Sequence, residues 1–241
     1  MKKIVIVALL FLFVKNVNAQ EDIRFGFQLS PTASWMTTSS SSINPSGTNL
    51  GLKLALIGEF YFRDNYAITS GLGFQFNGGG TLLHEHGGNY WTKTDLPVSL
   101  DTMSTNVKLK YSVQYLEIPI GLKMRTKEFG YLRYFFNPEI TLGFKTQARG
   151  TISDSAVSGE EEEKYDIRKE VNGLNLAWGI TAGAEYNLGE SSTLVFGLGF
   201  QIGFTDVTDD NGLVFDPDRG NRKENSKGTS RNIVLKLGVM F

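Results

Sequence analysis

The chain closes with Asn232-Ile233-Val234-Leu235-Lys236-Leu237-Gly238-Val239-Met240-Phe241, in which every second side chain is apolar. Successive side chains of a strand point to opposite faces, so Ile233 and every second residue up to Phe241 share one face, with Lys236 on the other. A strand of an outer-membrane β-barrel turns such an apolar face to lipid and the polar face to the barrel interior. The stretch therefore predicts the outer membrane, and we expect the barrel assembly machinery to recognise Phe241.

Seven further segments show the same alternation. The eight predicted strands are 24–35, 50–62, 66–76, 107–122, 132–145, 174–186, 194–204 and 232–241. A single alternating segment is weak support for a membrane barrel, because half-buried strands of soluble proteins also alternate. The succession of eight such segments carries the prediction.

The connections between these strands alternate in length. Short ones at 63–65, 124–130 and 187–192 separate long polar ones at 37–48, 77–106, 149–172 and 206–229. Outer-membrane barrels have short periplasmic turns and longer extracellular loops. The chain is therefore predicted to be all-β, an eight-stranded antiparallel transmembrane β-barrel with short periplasmic turns and long extracellular loops, surrounded by outer-membrane lipid.

The start and composition of the chain fit this compartment. Lys2, Lys3, the apolar run 4–14 and the small residues before Gln20 predict a signal peptide over 1–19 and a barrel domain over 20–241. The absence of cysteine excludes a lipoprotein anchor, disulfides and thiolate metal sites. With 24 basic and 25 acidic residues the chain has no charge bias towards nucleic acid, and no nucleic-acid partner is expected.

The polar faces of the predicted strands carry charges of both signs. These residues are Lys53, Glu59, Glu117, Lys123, Arg133, Glu139, Lys145, Glu185 and Lys236. An eight-stranded barrel is just wide enough for side chains to fill, and buried charges are tolerated only when they are paired. We therefore expect a structural network of ion pairs that plugs the barrel, with Glu117, Glu139 and Lys236 near mid-height. No catalytic residue and no cofactor are predicted.

The fourth strand changes phase at Tyr115-Leu116, where its apolar residues move from odd to even positions. One extra residue in a β-bulge would produce such a change, and prolines favour irregular points of a sheet. If Lys123 pairs with Tyr131 across the turn, Leu116 faces Pro138, and Pro119 lies close by. The sequence predicts a strand irregularity that includes these prolines.

Two loop motifs are open to a metal interpretation. His84 and His86 would ligate zinc if a third ligand arrived, or would serve a barrel lipid hydrolase, but the spacing favours exposed loop residues without metal. Acidic side chains occur in two loops and would suit calcium. They are Glu160 to Glu163, Asp206, Asp209, Asp210, Asp216 and Asp218. The calcium-loop pattern is absent, so solvated loops are favoured and no metal is predicted.

The segment Tyr115-Leu116-Glu117-Ile118-Pro119-Ile120-Gly121-Leu122-Lys123 is similar to a signature of the PorT-like family of outer-membrane barrels from the Bacteroidota. The predicted signal peptide, the eight strands and the final Phe241 fit that family over the whole mature chain. The resemblance implies an outer-membrane barrel with a link to type IX protein secretion. It transfers no catalytic residue.

Three functions remain open. The leading hypothesis is a non-enzymatic barrel that acts as an anchor or accessory subunit of an outer-membrane protein complex and presents four long loops outside. The alternative is a small channel for ions or apolar solutes, which would require a water column or a lateral gap near Pro119 and Pro138. A membrane lipid hydrolase is the third, and only His84 and His86 support it.

Overall fold

A computed structural model describes residues 23–154, 163–189, 192–216 and 220–241. The predicted signal peptide and the first residues of the predicted barrel domain, 20–22, lie outside this part of the chain. In chain order, the described strands are β1 (Ile23–Thr38), β2 (Ile43–Gly47), β3 (Asn49–Arg63), β4 (Tyr66–His84), β5 (Gly87–Asn89), β6 (Val107–Arg125), β7 (Leu132–Ser153), β8 (Tyr165–Asp166), β9 (Leu174–Asn187), β10 (Thr193–Gly203), β11 (Leu213–Asp216), β12 (Gly220–Lys223) and β13 (Gly228–Met240). Short 3₁₀ helices span Val98–Leu100 and Arg168–Glu170. Within the described residues, no helix has the length and apolar character needed to cross a membrane.

The eight long strands form a closed antiparallel ring. They pair in the order β4-β3-β1-β13-β10-β9-β7-β6, and β6 returns to pair with β4. The first and last strands meet in register, with Gly26 opposite Met240. Each long strand overlaps one of the predicted segments, and several extend beyond it towards the long loops. The connections alternate between short and long, as expected. The predicted all-β, eight-stranded barrel is confirmed.

Side-chain alternation places apolar residues outside and polar residues inside over the short-turn half of the ring. Phe27 on β1 is 65% exposed, whereas Ser30 and Lys53 on the inner face are buried. A belt of exposed Phe, Leu and Ile side chains surrounds this half. Lipid stabilises an apolar outer surface of this kind, since it removes the apolar area from water.

The upper half of β6 reverses this arrangement. Val107, Leu109 and Tyr111 point inward and are buried, whereas Lys108 and Lys110 point outward and are exposed. The inner positions continue without a break through Tyr115 to Glu117. The phase change in the sequence therefore marks the height at which the outer face passes from lipid to water, and the predicted bulge in β6 is wrong.

Irregularities do occur at the height of Tyr115, but on the neighbouring strands. Thr146 is the extra residue of β7, between Gln147, which pairs with Gln114, and Lys145, which pairs with Tyr115. On β4, two residues separate Gln75 from Gly78 where β6 has only one, and Asn77 there has a φ of 57°. Such insertions bend the strand that contains them.

The pairing expected between β6 and β7 is also corrected. Leu116 pairs with Phe144 and not with Pro138, because β6 runs on to Arg125, which pairs with Phe135, so the hairpin is centred three residues later than a pairing of Lys123 with Tyr131 would place it. Pro119 and Pro138 therefore lie at different heights. Each interrupts one ladder, β4–β6 at Pro119 and β6–β7 at Pro138, because a proline has no N–H to donate.

The long loops fold back over the open end of the ring. β5 and β11 pair, with Phe215 opposite Gly87, so that two of the loops share a small sheet with β12. Loop and inner strand residues form one buried apolar cluster, which we call the cap. Its members are Met36, Ile43, Leu82, Tyr90, Trp91, Met103, Val107, Leu109, Tyr111, Val113, Tyr115, Ala148, Ile167, Val171, Val207 and Val214.

Candidate functional site

The barrel interior holds a middle layer of four charged residues and one glutamine, which joins five strands. Lys53 Nζ lies 2.8 Å from Glu117 Oε2 and donates to Gln201 Oε1 at 2.8 Å. Gln201 Nε2 donates to Glu139 Oε1 at 3.0 Å, and Lys236 Nζ donates to Glu139 Oε2 at 2.7 Å. The alternation of β3, β6, β7, β10 and β13 brings these side chains inward at one height, and each charge finds its partner on another strand.

A lower layer lies nearer the short turns and is centred on Lys123. Its ammonium forms ion pairs with both Glu59 and Glu185 and lies 4.7 Å from the centre of the Phe135 ring. Tyr61 donates its hydroxyl proton to Glu59 Oε2 at 2.6 Å. The lysine is the shared counter-ion of two buried carboxylates, so its removal would leave both without their main partner.

Arg133 and Lys145, two of the nine predicted interior charges, have other partners. Arg133 forms an ion pair that is about one-third exposed with Glu128, in the connection between β6 and β7, at 2.8 Å. Lys145 lies above the middle layer and donates to the backbone carbonyls of Arg168 and Val171. Their positions in sequence place them on the polar face, but Arg133 lies at the start of β7, and Lys145 lies where loop residues 168–171 cover the interior.

Sequence reasoning missed several members of the layers. Gln201 was assigned to the inner face of its strand but carries no charge, so nothing marked it as a bridge between Lys53 and Glu139. Arg125 follows the predicted end of the fourth strand and still belongs to the lower layer, 3.7 Å from Glu185. Arg24 lies 3.8 Å from the same carboxylate. The odd-numbered residues of β6 face inward, and continuing this alternation to Arg125 would have placed its side chain in the interior.

Little free space remains between the layers. A cavity of about 70 Å³ lies beside Lys53, Glu117 and Lys236. This is room for a few water molecules at most, given about 30 Å³ for a water in the liquid. In contrast, an open cavity of about 390 Å³ lies at the short-turn end of the ring, below the lower layer.

Inside the cap, the indole of Trp91 occupies the upper barrel. It donates from Nε1 to the hydroxyl of Tyr111 at 3.1 Å, and the two rings meet edge to face at 5.6 Å. Gly150 on β7 makes room for it, because a Cβ at that position would lie 2.3 Å from the indole ring. The indole thus closes the barrel at the end opposite the 390 Å³ cavity.

His84 corrects the expectation of exposed loop histidines. It is 3% exposed at the end of β4, with its ring 4.1 Å from that of Tyr90, whereas His86 is half-buried. Burial lowers the pKa of His84 to about 4. Its Nδ1 has no hydrogen-bond partner within the described residues.

The acidic loop residues that the structure describes serve the loop framework. Asp206 accepts hydrogen bonds from the backbone N–H groups of Thr208 at 3.0 Å and Gly228 at 2.9 Å. Asp209 forms an ion pair with Lys93. No described cluster of three or more His, Asp or Glu residues is placed to hold a metal ion. Residues 160–162 and Asp218 lie outside the described ranges.

Comparison with known protein families assigns residues 18–209 to the outer membrane protein β-barrel domain. The chain belongs to this family. Membership places the protein in the outer membrane and agrees with the closed ring and its apolar belt. A comparison with curated proteins finds no match.

Several solved structures of outer-membrane proteins are similar to this chain over most of its length. A major outer membrane protein from Thermus thermophilus is 14% identical, with a TM-score of 0.45 and coverage of 91% of this chain and 98% of that one. Neisserial surface protein A is 10% identical, with a TM-score of 0.43 and coverage of 90% and 95%. The outer membrane protease OmpT from Escherichia coli is 6% identical, with a TM-score of 0.42 and coverage of 94% and 99%. At such identities and TM-scores the likeness carries no argument.

Proposed function

We propose that this barrel is a non-enzymatic anchor or accessory subunit of an outer-membrane protein complex, and that its four long loops form a single folded platform outside the cell. The cap is the observation that carries this proposal. Trp91, Ile167 and Val207 come from three different loops and pack together with the inner faces of the strands. Loops held in this way keep a constant outer surface, which suits recognition of a protein partner.

Contacts between the loops extend beyond the cap. Ser39 donates its backbone N–H to the carbonyl of Lys227 at 3.1 Å, and a bridge joins Val171 to Thr208. The pairing of β5 with β11 joins the second and fourth long loops. All four loops are thus tied to one another by backbone hydrogen bonds, which supports a platform and not four independent arms.

The filled interior supports a closed barrel. Two charge layers and the cap lie one above another, and each joins strands on opposite sides of the ring. A lipid hydrolase would require an accessible base at the membrane edge. The buried His84 ring, whose centre lies 4.1 Å from that of the Tyr90 ring, does not offer one.

A link to type IX protein secretion belongs to the same proposal and depends on the resemblance of the segment 115–123 to the PorT-like signature. Within the structure, this segment supplies Glu117 and Lys123 to the two charge layers. Because these side chains lie inside the barrel and stabilise it, a partner protein cannot contact them. We therefore propose that the partner binds the platform or the lipid-facing belt.

The test is a pull-down of the tagged, full-length protein from native outer membranes in mild detergent. We expect stoichiometric recovery of other outer-membrane proteins, including secretion components if the type IX link is right. Recovery of the barrel alone at native expression levels would contradict a role as an accessory subunit.

A small channel is the second candidate, favoured by the cavity beside Lys53 and by the open cavity of about 390 Å³ at the short-turn end. Planar-bilayer recordings of the purified protein separate the two. A closed anchor gives no discrete conductance steps. Steps that change in size in a Lys53→Met variant, and not in an Arg63→Gln variant at the exposed end of β3, would favour the channel.

A further inference from the structure

The cavity at the short-turn end of the barrel is lined by an unusual number of arginines. We call this cavity the vestibule. Its walls include Arg24, Arg125, Arg133, Tyr131, Thr193 and Phe241. Its volume of about 390 Å³ falls within the range of small-molecule sites, roughly 300–1,000 Å³.

Two of the arginines are held rigidly in the vestibule wall. The guanidinium of Arg125 lies 3.9 Å from the centre of the Tyr61 ring, and its Nε donates to the backbone carbonyl of Asp64 at 2.8 Å. Arg24 donates from Nη2 to the hydroxyl of Thr193. Side chains fixed in this way lose little further entropy when a ligand binds.

Arg125 keeps an unused donor. Its side chain is only 10% exposed, and its Nη1 lies 3.7 Å from Glu185 Oε2, which is too long for a hydrogen bond. Nη1 has no hydrogen-bond partner within the described residues. A buried guanidinium donor without a partner is costly, and an oxyanion in the vestibule would satisfy it.

The side-chain charges of the lower layer and its arginines sum to one positive charge, from Lys123, Arg24 and Arg125 against Glu59 and Glu185. Arg133 adds none, because Glu128 neutralises it at 2.8 Å. The carboxylate of Phe241 in the vestibule wall is a negative group that a bound anion would have to displace or avoid. One oxygen of this carboxylate accepts a hydrogen bond from the backbone N–H of Phe25 at 3.2 Å. This oxygen is therefore engaged in the pairing of β1 with β13.

We propose that the vestibule is a binding site for a small oxyanion, a carboxylate or phosphate group that docks between Arg24 and Arg125. Arg125 lines the open space from β6, with Nη1 buried in the wall behind it, and Arg24 lines the same space from β1. Guanidinium groups bind both kinds of oxyanion through paired N–H donors. Because the short turns face the periplasm, the ligand comes from the periplasmic side.

Isothermal titration calorimetry on the full-length protein in detergent tests the site, with inorganic phosphate and succinate as probes at constant ionic strength. We expect saturable binding of one anion per chain. Arg125→Gln should weaken it by roughly tenfold or more, because a charge-assisted donor is lost, and Arg125→Lys by less. Arg63→Gln is the matched control, an exposed arginine outside the vestibule, and should leave binding unchanged.

A chemical measurement on the wild-type protein keeps the test valid if Arg125→Gln fails to fold. Phenylglyoxal labels accessible arginines, and the bound anion should protect Arg24 and Arg125 while Arg63 reacts as before. Tighter binding of phosphate would assign a phosphate ligand, and tighter binding of succinate a carboxylate ligand. Absence of saturable binding up to about 10 mM of either probe, or an equal loss in Arg63→Gln, would overturn the proposal.

Discussion

The two halves of the barrel have interiors of opposite polarity. In the half with short turns, the interior is polar and contains Lys53 and Lys123, whereas the outer face bears Phe27 and its apolar neighbours. In the half with long loops, the interior is apolar and holds Trp91 and Leu109, whereas the outer face bears Lys108 and Lys110. The polarity of each face follows the medium outside, lipid below and water above.

The difference shows how each half is stabilised. In the lower half the apolar side chains face lipid, so the interior can be filled with paired charges. Such buried ion pairs have a specific geometry but contribute little net free energy to stability. The upper half is surrounded by water and has to bury its own apolar side chains, so loops supply Trp91 and Val207 as a core. Mutations in the two halves should therefore differ in kind.

The largest effect is expected in the lower layer. Lys123→Met leaves Glu59 and Glu185 without their shared counter-ion, which should destabilise the barrel by about 3–5 kcal/mol. Urea unfolding in detergent measures the change. Arg133→Met removes an ion pair that is one-third exposed and should cost no more than about 1 kcal/mol. Similar losses in both variants would contradict the distinction between buried layer and exposed pair.

Trp91→Ala tests the cap. Removal of the fully buried indole should destabilise the cap by about 3–5 kcal/mol. Amide hydrogen exchange should then become faster in the loops and change little in the lower strands. Hydrogen exchange resolved by segment measures both. Val98→Ala, in the same loop but 88% exposed, is the control and should leave exchange unchanged. Loosening of the lower strands to the same extent would show that the halves do not unfold independently.

Acid should weaken the cap through His84. Its pKa is about 4 in the folded protein against an ordinary value of 6.5, so between these values the unfolded cap binds a proton that the folded cap does not. Stability is lost as pH falls from about 6.5 to about 4, by about 3 kcal/mol in all. Burial raises the pKa values of Glu170 and Glu224, which act in the opposite direction.

The contribution of His84 is isolated by comparing the wild-type protein with His84→Phe. Because the chain has no cysteine, V98C provides a single site for a fluorescent label on the cap. The stability difference between about pH 7 and about pH 4.5 should shrink in His84→Phe. An unchanged pH dependence would assign the loss of stability in acid to groups other than His84.

The smallest expected effect is at Gly150. Gly150→Ala places a methyl group against the indole of Trp91 and should cost about 1–3 kcal/mol through overpacking. The penalty should largely vanish in a Trp91→Ala background, as the stability difference in a double-mutant cycle would show. An equal penalty in both backgrounds would assign the requirement for glycine to the contact with Ile167 or to the backbone, and not to the indole.

The strands were predictable because alternation is a local property. A period of two marks each of the eight long strands, and Lys53, Glu117 and Lys236 lie on the inner faces of theirs. The partners of these charges were not predictable, because they depend on register across the ring. The connection over 126–131 places Leu116 opposite Phe144, a shift of six residues from the expected pairing with Pro138.

The sequence by itself determined the fold class, the eight strands and the division into short and long connections, since alternation and turn composition act over a few residues. Only the tertiary structure decided that the apolar residues from Val107 to Tyr115 face inward, that His84 is buried, and that Arg24 and Arg125 meet at one vestibule. Alternation shows that the two faces of a strand differ in polarity. Closure of the ring and the folding of loops over it decide which face is the interior and what each charge meets there.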